Sequence, residues 1–486
     1  MLNKEEKDQG ITVKKEEDTA EWYSQVCLRS EVADYGVTKG TMIIRPNGYA
    51  VWQAIQDYFN KNIIQKTGAK NAYFPLFIPE SFFKKEATHA KGFSPEVAWI
   101  DKNVTGEGER LAIRPTSETI MYDSYSKWIH SYKDLPLKIN QWCNIVRWET
   151  EATKLFLRSR EFLWQEGHCV YETEEECKKD TINYIKLYEK LCEELLALPV
   201  LVGKKTEKEK FAGAKTTYTI ESFMPDGKAL QCGTSHELGQ GFAKAFNIKF
   251  LGKDEKQHLP WQNSWGISTR LIGALIMTHS DNKGLILPPS ITENKLVIIP
   301  IIKSDSKQKI LKKSQEIFKQ LSSFNPILDD REEYTPGWKY NEWELKGIPI
   351  RIELGPRDLE KNQAVIVRRD TGKKTEIKIK NLEYLKKSLD KELDNMQSSL
   401  YKRAKTFLES SIIQAKTMDD LIKGIKNKKI VKVKFCGEES CEDLIKEKTQ
   451  GASSRCIPFD SKTSNNDKCI QCHKQAKVEV YFSRSY

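Results

Sequence analysis

Apolar residues recur at helical spacing between positions 51 and 63: Val51, Ala54, Ile55, Tyr58, Phe59 and Ile63 share one face. The pattern predicts an amphipathic helix, with Asn47 placed to cap its start and Gly68 its end. The run AYFPLFIP that follows reads as a strand interrupted by Pro75, which puts it at an edge or an end of a sheet. From about 110 to 280 the period alternates between two and 3.6. Residues 137–148, 161–171, 216–223 and 228–236 read as strands of one large, mostly antiparallel sheet, and 174–197 as an amphipathic helix. The run KLVIIPII at 295–302 is apolar throughout, as in a strand covered on both faces. A lysine-rich helix and the strands IPIRIEL (348–354) and AVIVRRD (364–370) follow it, an order that marks a separate α/β domain beginning near 295. A polar helical stretch at 380–408 leads into a cysteine-rich tail.

Composition narrows the class of protein. The chain has 486 residues, enough for several domains without disulfide staples. Its net charge of +11 suits a partner that carries phosphates. No apolar run approaches the roughly 20 residues of a membrane span, so no membrane partner is expected. The N-terminal stretch MLNKEEKDQGITVKKEED is mixed in charge, reads as a frayed tail, and lacks the apolar segment of a signal peptide. The expected compartment is the cytoplasm. Five of the eleven cysteines (Cys436, Cys441, Cys456, Cys469 and Cys472) crowd the last tenth of the chain. In a reducing compartment such crowding points to metal before disulfides.

Candidate chemistry concentrates in VRWETEATKLFLRSREFLWQEGH (146–168), where a lysine-rich chain turns to arginine. Arg147 and Glu149 are two apart and should share a strand face; Trp164, Glu166 and His168 should share another. Two strands joined by the intervening loop would aim these side chains, with Arg158 and Arg160, at one region. The competing reading is a charged sheet face with surface ion pairs. Against it, arginine alone offers a planar fork for phosphate oxygens. RPTSE (114–118) resembles a capped helix start. In LQCGTSHELG, Thr234 and His236 fall on one face beside Gly233. NSWGISTR (263–270) ends in Arg270 at the start of an apolar helix, where a glycine allows close approach of a nucleotide.

Together these stretches resemble the class II aminoacyl-tRNA synthetases, specifically the prolyl-tRNA synthetases of the eukaryotic/archaeal type, from about residue 21 to the end. The segment 48–75 is similar to the first class motif, VRWE with its loop and REFLWQEGH to the second, and GISTR to the third. RPTSE, FLWQEGH, EKFAGA, GTSHELG and NSWG, in this order, are the more specific marks. The resemblance implies an α/β multidomain chain: a charged tail over 1–20, a class II catalytic domain with a large antiparallel sheet over 21–294, an α/β anticodon-binding domain over 295–395, and a small zinc-binding α/β domain over 396–486. It also implies a homodimer, with Pro75 at the interface. The implied reaction joins L-proline to tRNA(Pro) through a prolyl-adenylate, with ATP as substrate and Mg²⁺ on its phosphates.

Site roles follow from the same resemblance. Arg147, Glu149 and Arg270 are the expected catalytic residues. Arg147 should meet the α-phosphate and the proline carboxylate, Arg158 the outer phosphates or the adenine end, and Arg270 the far phosphates. Glu149 should support adenine or a metal. Thr116 and Glu118 should hold the proline ammonium. Phe93, Trp164, His168 and Phe211 should enclose the ring with Glu166 nearby, and Thr234, His236, Ser264 and Gly266 complete the pocket. Gln231 and Thr234 should also face the nucleotide. Such a plain pocket separates proline from alanine or cysteine by only about 1–3 kcal/mol. Residues 169–262 leave no room for an editing insertion, so no cis editing is expected.

WKYNEWELKGIPIRIELGPRDLE resembles the family's anticodon-binding domain, with Glu344, Arg351 and Arg357 as candidates for reading guanines. FCGEESC and KCIQC supply Cys436, Cys441, Cys469 and Cys472 for a closed structural Zn²⁺ site, with His473 and Cys456 as substitutes. The second pair is spaced one residue wider than the family pattern. The chain ends FSRSY, and the resemblance implies that Tyr486 packs back toward the catalytic domain. The alternatives are a sister class II synthetase for another amino acid and a non-catalytic tRNA-binding paralogue. The latter would be expected to lose the phosphate-binding arginines that this chain keeps.

Overall fold

The computed structural model describes residues 10–87, 97–148, 152–379 and 381–486. Phe93 and Glu149 lie outside the described residues. In chain order the strands used below are β1 (Lys70–Asn71), β2 (Leu137–Val146), β3 (Glu161–Tyr171), β4 (Leu201–Lys204), β5 (Thr216–Phe223), β6 (Lys228–Gly239), β7 (Trp261–Ser268), β8 (Leu296–Pro300), β9 (Ile327–Leu328), β10 (Ile350–Leu354), β11 (Gln363–Arg368), β12 (Lys374–Lys378), β13 (Ile412–Gln414), β14 (Ile430–Phe435), β15 (Ser453–Pro458) and β16 (Val478–Ser485). The helices are α1 (Thr19–Arg29), α2 (Pro46–Phe59), α3 (Glu118–Trp128), α4 (Glu174–Glu194), α5 (Arg270–His279), α6 (Lys307–Gln320), α7 (Pro336–Leu345) and α8 (Leu382–Ser411).

Ten residues of β2 pair antiparallel with ten of β3, and β3 continues through β7, β6 and β5 with the same sense. The whole sheet has eleven strands in the order β13-β14-β16-β15-β4-β5-β6-β7-β3-β2-β1. Helix α4 buries Tyr184, Tyr188 and Leu191 in the core shared with Trp265 and Ile267, and the Tyr184 ring stacks on Trp265 at 3.9 Å. Gly167 makes room on the adjacent strand, since a Cβ there would meet the Trp265 ring at 2.1 Å.

Several boundaries differ from the sequence reading. Helix α2 begins at Pro46, and Arg45, not Asn47, precedes it without a side-chain cap. The proline at the first helical position has its φ pre-set for the helix and gives up no hydrogen-bonded donor there. A π-helical turn, Asn60–Ile64, carries the helix to Gly68, whose φ of 75° ends it as expected. AYFPLFIP is not a strand. It follows β1, and only Phe77–Pro79 forms a short strand; side chains hold the stretch before it: Gln141 Oε1 accepts from Phe74 N at 2.5 Å and Arg114 donates to Phe74 O at 2.7 Å. Strand β2 stops at Val146, so Arg147 lies just past its end rather than on a strand face.

The second unit packs a five-stranded sheet, β9-β8-β10-β11-β12, against α6 and the first part of α8. All five residues of β8 are buried, as its unbroken apolar run requires. Helix α8 then continues for 30 residues. Leu385, Leu389 and Leu393 serve this core, while Met396 and Leu400 meet Ala197 and Ile286, and Leu408 meets Phe223 and Ile430. One helix thus touches all three units, and the boundary expected between 395 and 396 falls inside it.

The C-terminal strands join the catalytic sheet. Ile457 and Pro458 of β15 pair with Lys204 and Gly203, and Arg484 and Ser485 of β16 with Lys228 and Ala229. The seam buries a charge cluster in which Glu221 accepts from Lys205 at 2.7 Å and from Arg455 at 2.9 Å. Tyr486 packs back on the catalytic unit as expected, its hydroxyl donating to Asp226 at 2.5 Å.

Candidate active site

Side chains alternate across β3, so Trp164, Glu166 and His168 come to one face. Strand β7 adds Ser264, Gly266 and Ser268 by the same rule. Strand β6 breaks it: an extra residue, Cys232, sits opposite the Ile220–Glu221 step of β5. This bulge lets Gln231, Thr234 and His236 face the same space although their spacing is odd. The result is a cavity of about 320 Å³ whose walls include Thr116, Glu118, Arg147, Trp164, Glu166, His168, Phe211, Gln231, Thr234, His236, Ser264, Gly266 and Arg270. Every expected pocket residue within the described chain is therefore brought together. Arg158 lines an adjoining cleft, which shares Arg147, Phe162, Ser268 and Arg270 with the main cavity.

RPTSE does start a helix, but not as a capping box. Ser117 precedes α3 without capping it and gives its hydroxyl to Glu166 at 2.5 Å. Thr116 donates to Glu118. Glu166 also accepts from Gln141 at 3.0 Å and pairs with His168 Nε2 at 3.1 Å; His168 Nδ1 meets the Tyr122 hydroxyl at 2.9 Å. Burial alone would raise the Glu166 pKa, but His168, Ser117 and Gln141 outweigh it and lower it. Burial would likewise lower the His168 pKa, and Glu166 and Glu118 raise it instead. Each member of the pair thus favours the charged form of the other. Glu166 is committed to its protein partners, which makes it a support for the wall rather than a ready acceptor. His236 differs: burial and the charge of His168 lower its pKa to about 3, so it is neutral, with Nδ1 at 2.9 Å from the Thr217 hydroxyl and its ring 4.7 Å from Phe211.

Arginines define the other chemistry. Arg147 donates to Pro115 O at 3.3 Å and lies 5.6 Å from the Trp164 ring centre. Arg270, the first residue of α5, donates to Leu157 O at 3.1 Å and Gln231 O at 3.3 Å. Burial, with the like charges of Arg147 and Arg158 adding to it, lowers the Arg270 pKa. Three guanidinium groups facing joined cavities favour a polyanion.

Sequence reasoning missed Phe162, Glu209, Thr217 and Ser268, all lining the cavity, and the supports Ser117, Gln141 and Tyr122. Phe162 was within reach, being two residues before Trp164 on the same strand. Gln141 was not, because it faces Glu166 only through the β2–β3 register.

Two further sets lie elsewhere. Arg351 donates to Glu344 at 2.9 Å and to Glu353 at 2.9 Å and lies 4.1 Å from the Tyr340 ring centre, whereas Arg357 is exposed on the short helix Pro356–Glu360. Glu344 and Arg351 are thus brought together as an ion pair. The thiols of Cys436, Cys441, Cys469 and Cys472 lie within 4.8 Å of one another, and those of Cys436 and Cys472 are 3.8 Å apart. A tetrahedral zinc with Zn–S bonds of about 2.3 Å separates its sulfurs by roughly 3.8 Å, so the donor set fits that ion. Cys456 is instead buried on β15 opposite Tyr481, outside this group, as is His473.

Comparison with known proteins agrees with this layout. Residues 100–279 match the family described as tRNA synthetase class II core domain (G, H, P, S and T), 295–388 the Anticodon binding domain, and 418–486 Prolyl-tRNA synthetase, C-terminal. The chain is 47% identical over 475 residues to "Proline--tRNA ligase" of Natranaerobius thermophilus and 48% identical over 474 residues to that of Alkaliphilus oremlandii, each match covering 97% of both chains. It is 47% identical over 483 residues, 99% of both chains, to "Proline--tRNA ligase 2" of Bacillus cereus.

Proposed function

The chain belongs to the prolyl-tRNA synthetase family of class II synthetases, and from that premise we propose that it joins L-proline to tRNA(Pro) through a prolyl-adenylate. One continuous cavity carries this reading, with carboxylates and rings on some walls and guanidinium groups on the others. Thr116 and Glu118 take the proline ammonium, and Trp164, His168 and Phe211 enclose the ring, with Phe93 expected beside them. Thr234, His236, Ser264 and Gly266 complete the pocket.

A carboxylate oxygen of proline attacks the α-phosphorus of ATP. The bond from phosphorus to the β-bridging oxygen breaks, and pyrophosphate leaves. The terminal ribose hydroxyl of tRNA then attacks the prolyl carbonyl and displaces AMP. Neither step needs a protein nucleophile; both need positioning and charge neutralisation. Arg147 spans the proline carboxylate and the α-phosphate, Arg270 the far phosphates, and Arg158 the outer phosphates or the adenine end. Gln231 and Thr234 face the nucleotide. Mg²⁺ on the triphosphate would neutralise the leaving pyrophosphate. The described cleft offers guanidinium, hydroxyl, ring and aliphatic groups; the ion would come with the nucleotide, with Glu149 the carboxylate expected nearby.

Glu344, Arg351 and Arg357 read guanines of the anticodon in the unit from 295, a reading supported by their place in the matched anticodon-binding segment. The four C-terminal thiols hold a structural zinc. Two copies associate, because Tyr49, Tyr73, Phe77 and Trp128 leave large apolar surface exposed around the first class motif. The chain works in the cytoplasm, a reducing compartment that suits its eleven cysteines. Among the described residues no helix is long and apolar enough to cross a membrane.

Pyrophosphate exchange into ATP, run with each amino acid in turn, tests the reading. Exchange that depends on proline supports it; its absence, or stronger exchange with another amino acid, overturns it. Light scattering tests association, with a mass of 56.1 kDa ruling out the dimer.

A further inference from the structure

Helix α5 presents Arg270 to the cavity at its first residue and spans about 15 Å over its ten residues. Two residues beyond its last, Asp281 opens a tight turn closed by paired backbone bonds between Asp281 and Gly284. This turn meets the anticodon-binding unit. Arg369, whose side chain is 2% exposed, donates to both carboxylate oxygens of Asp281, at 2.9 and 2.6 Å, and through Nε to Glu344 O at 2.6 Å. Lys283 of the same turn pairs with Glu344 Oε2 at 3.2 Å, and Arg351 with Oε1 at 2.9 Å. Leu285 N donates to Leu345 O at 3.0 Å, and Gly284 at φ 126° has no space for a Cβ, which would meet Leu345 at 2.7 Å. On the other side Trp22 Nε1 fixes Asp281 O at 3.0 Å.

Glu344 thus meets the turn twice, through Lys283 on Oε2 and through Arg369 on its carbonyl, while Arg351 holds Oε1 from within the anticodon-binding unit. A bidentate pair whose guanidinium is buried while its carboxylate is partly exposed, with one partner from each unit, fixes orientation better than a single-contact surface pair. We propose that Arg369 and Asp281 form a positioning bridge that couples occupancy of the Glu344–Arg351 site by anticodon bases to the placement of α5 and its Arg270. This rests on the reading of Glu344 and Arg351 given above. Taking a base onto that site shifts the Glu344 ion pairs, and the Arg369–Asp281 fork passes the shift to the tight turn that follows α5.

The test compares Arg369→Gln, Asp281→Asn and the double variant in three assays: proline-dependent exchange without tRNA, charging of full-length tRNA(Pro), and charging of an acceptor-stem minihelix that lacks an anticodon. Full-length charging should fall about tenfold in kcat/KM, while exchange and minihelix charging change less than about twofold; the double variant should be no worse than either single one. Equal losses in all three assays would mean a merely structural role and overturn the bridge, as would unchanged full-length charging. Asp281→Asn keeps the oxygen that accepts from Lys283 N at 2.9 Å, so the turn survives should Arg369→Gln fail to fold. Absence of proline-dependent exchange in the unaltered chain would instead strike the reading beneath the proposal.

Discussion

At the scale of single residues, the site separates groups that face the cavity from groups that hold them. Arg147 faces it and is expected to act mainly in the transition state. Arg147→Ala should lower proline-dependent exchange about 10²–10³-fold, and Arg147→Lys should restore little, because a point charge lacks the fork. Exchange near the unaltered rate would remove Arg147 from the phosphate site. Glu166 and His168 do both, lining the cavity and bracing each other within its wall. His168 has a raised pKa, so its stabilisation is complete below the unfolded value of 6.5 and is lost as pH rises through the folded value. Glu166 has a lowered pKa, so its share is complete above the unfolded value of 4.5 and is lost as pH falls through the folded one. The stability gap between the unaltered chain and His168→Gln, measured by urea unfolding, should therefore be widest between about pH 4.5 and 6.5 and narrow on either side. A gap that grows toward pH 9 would contradict the ion pair.

At the scale of elements, the strands that carry the chemistry were legible and their register was not. Period two in 161–171 placed Trp164, Glu166 and His168 together, because alternation is a local property of an extended chain. The Cys232 bulge that brings Gln231 onto the face of Thr234 depends on pairing with β5, which no local pattern records. Arg147 was expected on a strand and lies past the end of one. The cysteine spacing was equally legible, since two close pairs leave few geometries for four thiols. Cys469→Ser should drop bound zinc well below one equivalent per chain and lower the melting temperature of the C-terminal unit. Metal analysis that still finds a full equivalent would place the ion elsewhere.

At the scale of the whole molecule, the units are joined by shared elements rather than by linkers. The catalytic sheet runs on into the C-terminal strands, and α8 serves three cores. The charge cluster at the seam is fully buried. Burial would raise the Glu221 pKa, but Lys205 and Arg455 outweigh it and lower it. Glu221→Leu would strand two buried cations and should cost about 3–5 kcal/mol in chemical denaturation. A loss below about 1 kcal/mol would mean that the cluster is solvated like a surface pair. The same scale bears on fidelity. Between β3 and β7 the chain is taken up by α4, β4, β5 and β6, the short helix Gly241–Ala245 and the paired strands Phe250–Leu251 and Gln257–His258. Purified protein should therefore leave alanyl-tRNA(Pro) intact over the time in which it charges proline; rapid deacylation would reveal an editing site.

The sequence by itself determined the α/β class, the strand faces that bear Trp164, Glu166 and His168, the cluster of arginines and the four thiols, because residue type and local period suffice for each. Only the tertiary structure decided that Glu166 is spent on Ser117, Gln141 and His168, that Gln231 joins its neighbours across a bulge, that Arg351 is tied to Glu344, and that Asp281 meets Arg369. Each of these depends on the register or docking of segments distant in the chain, and long-range pairing is set by the packing of the whole rather than by the pattern of any part.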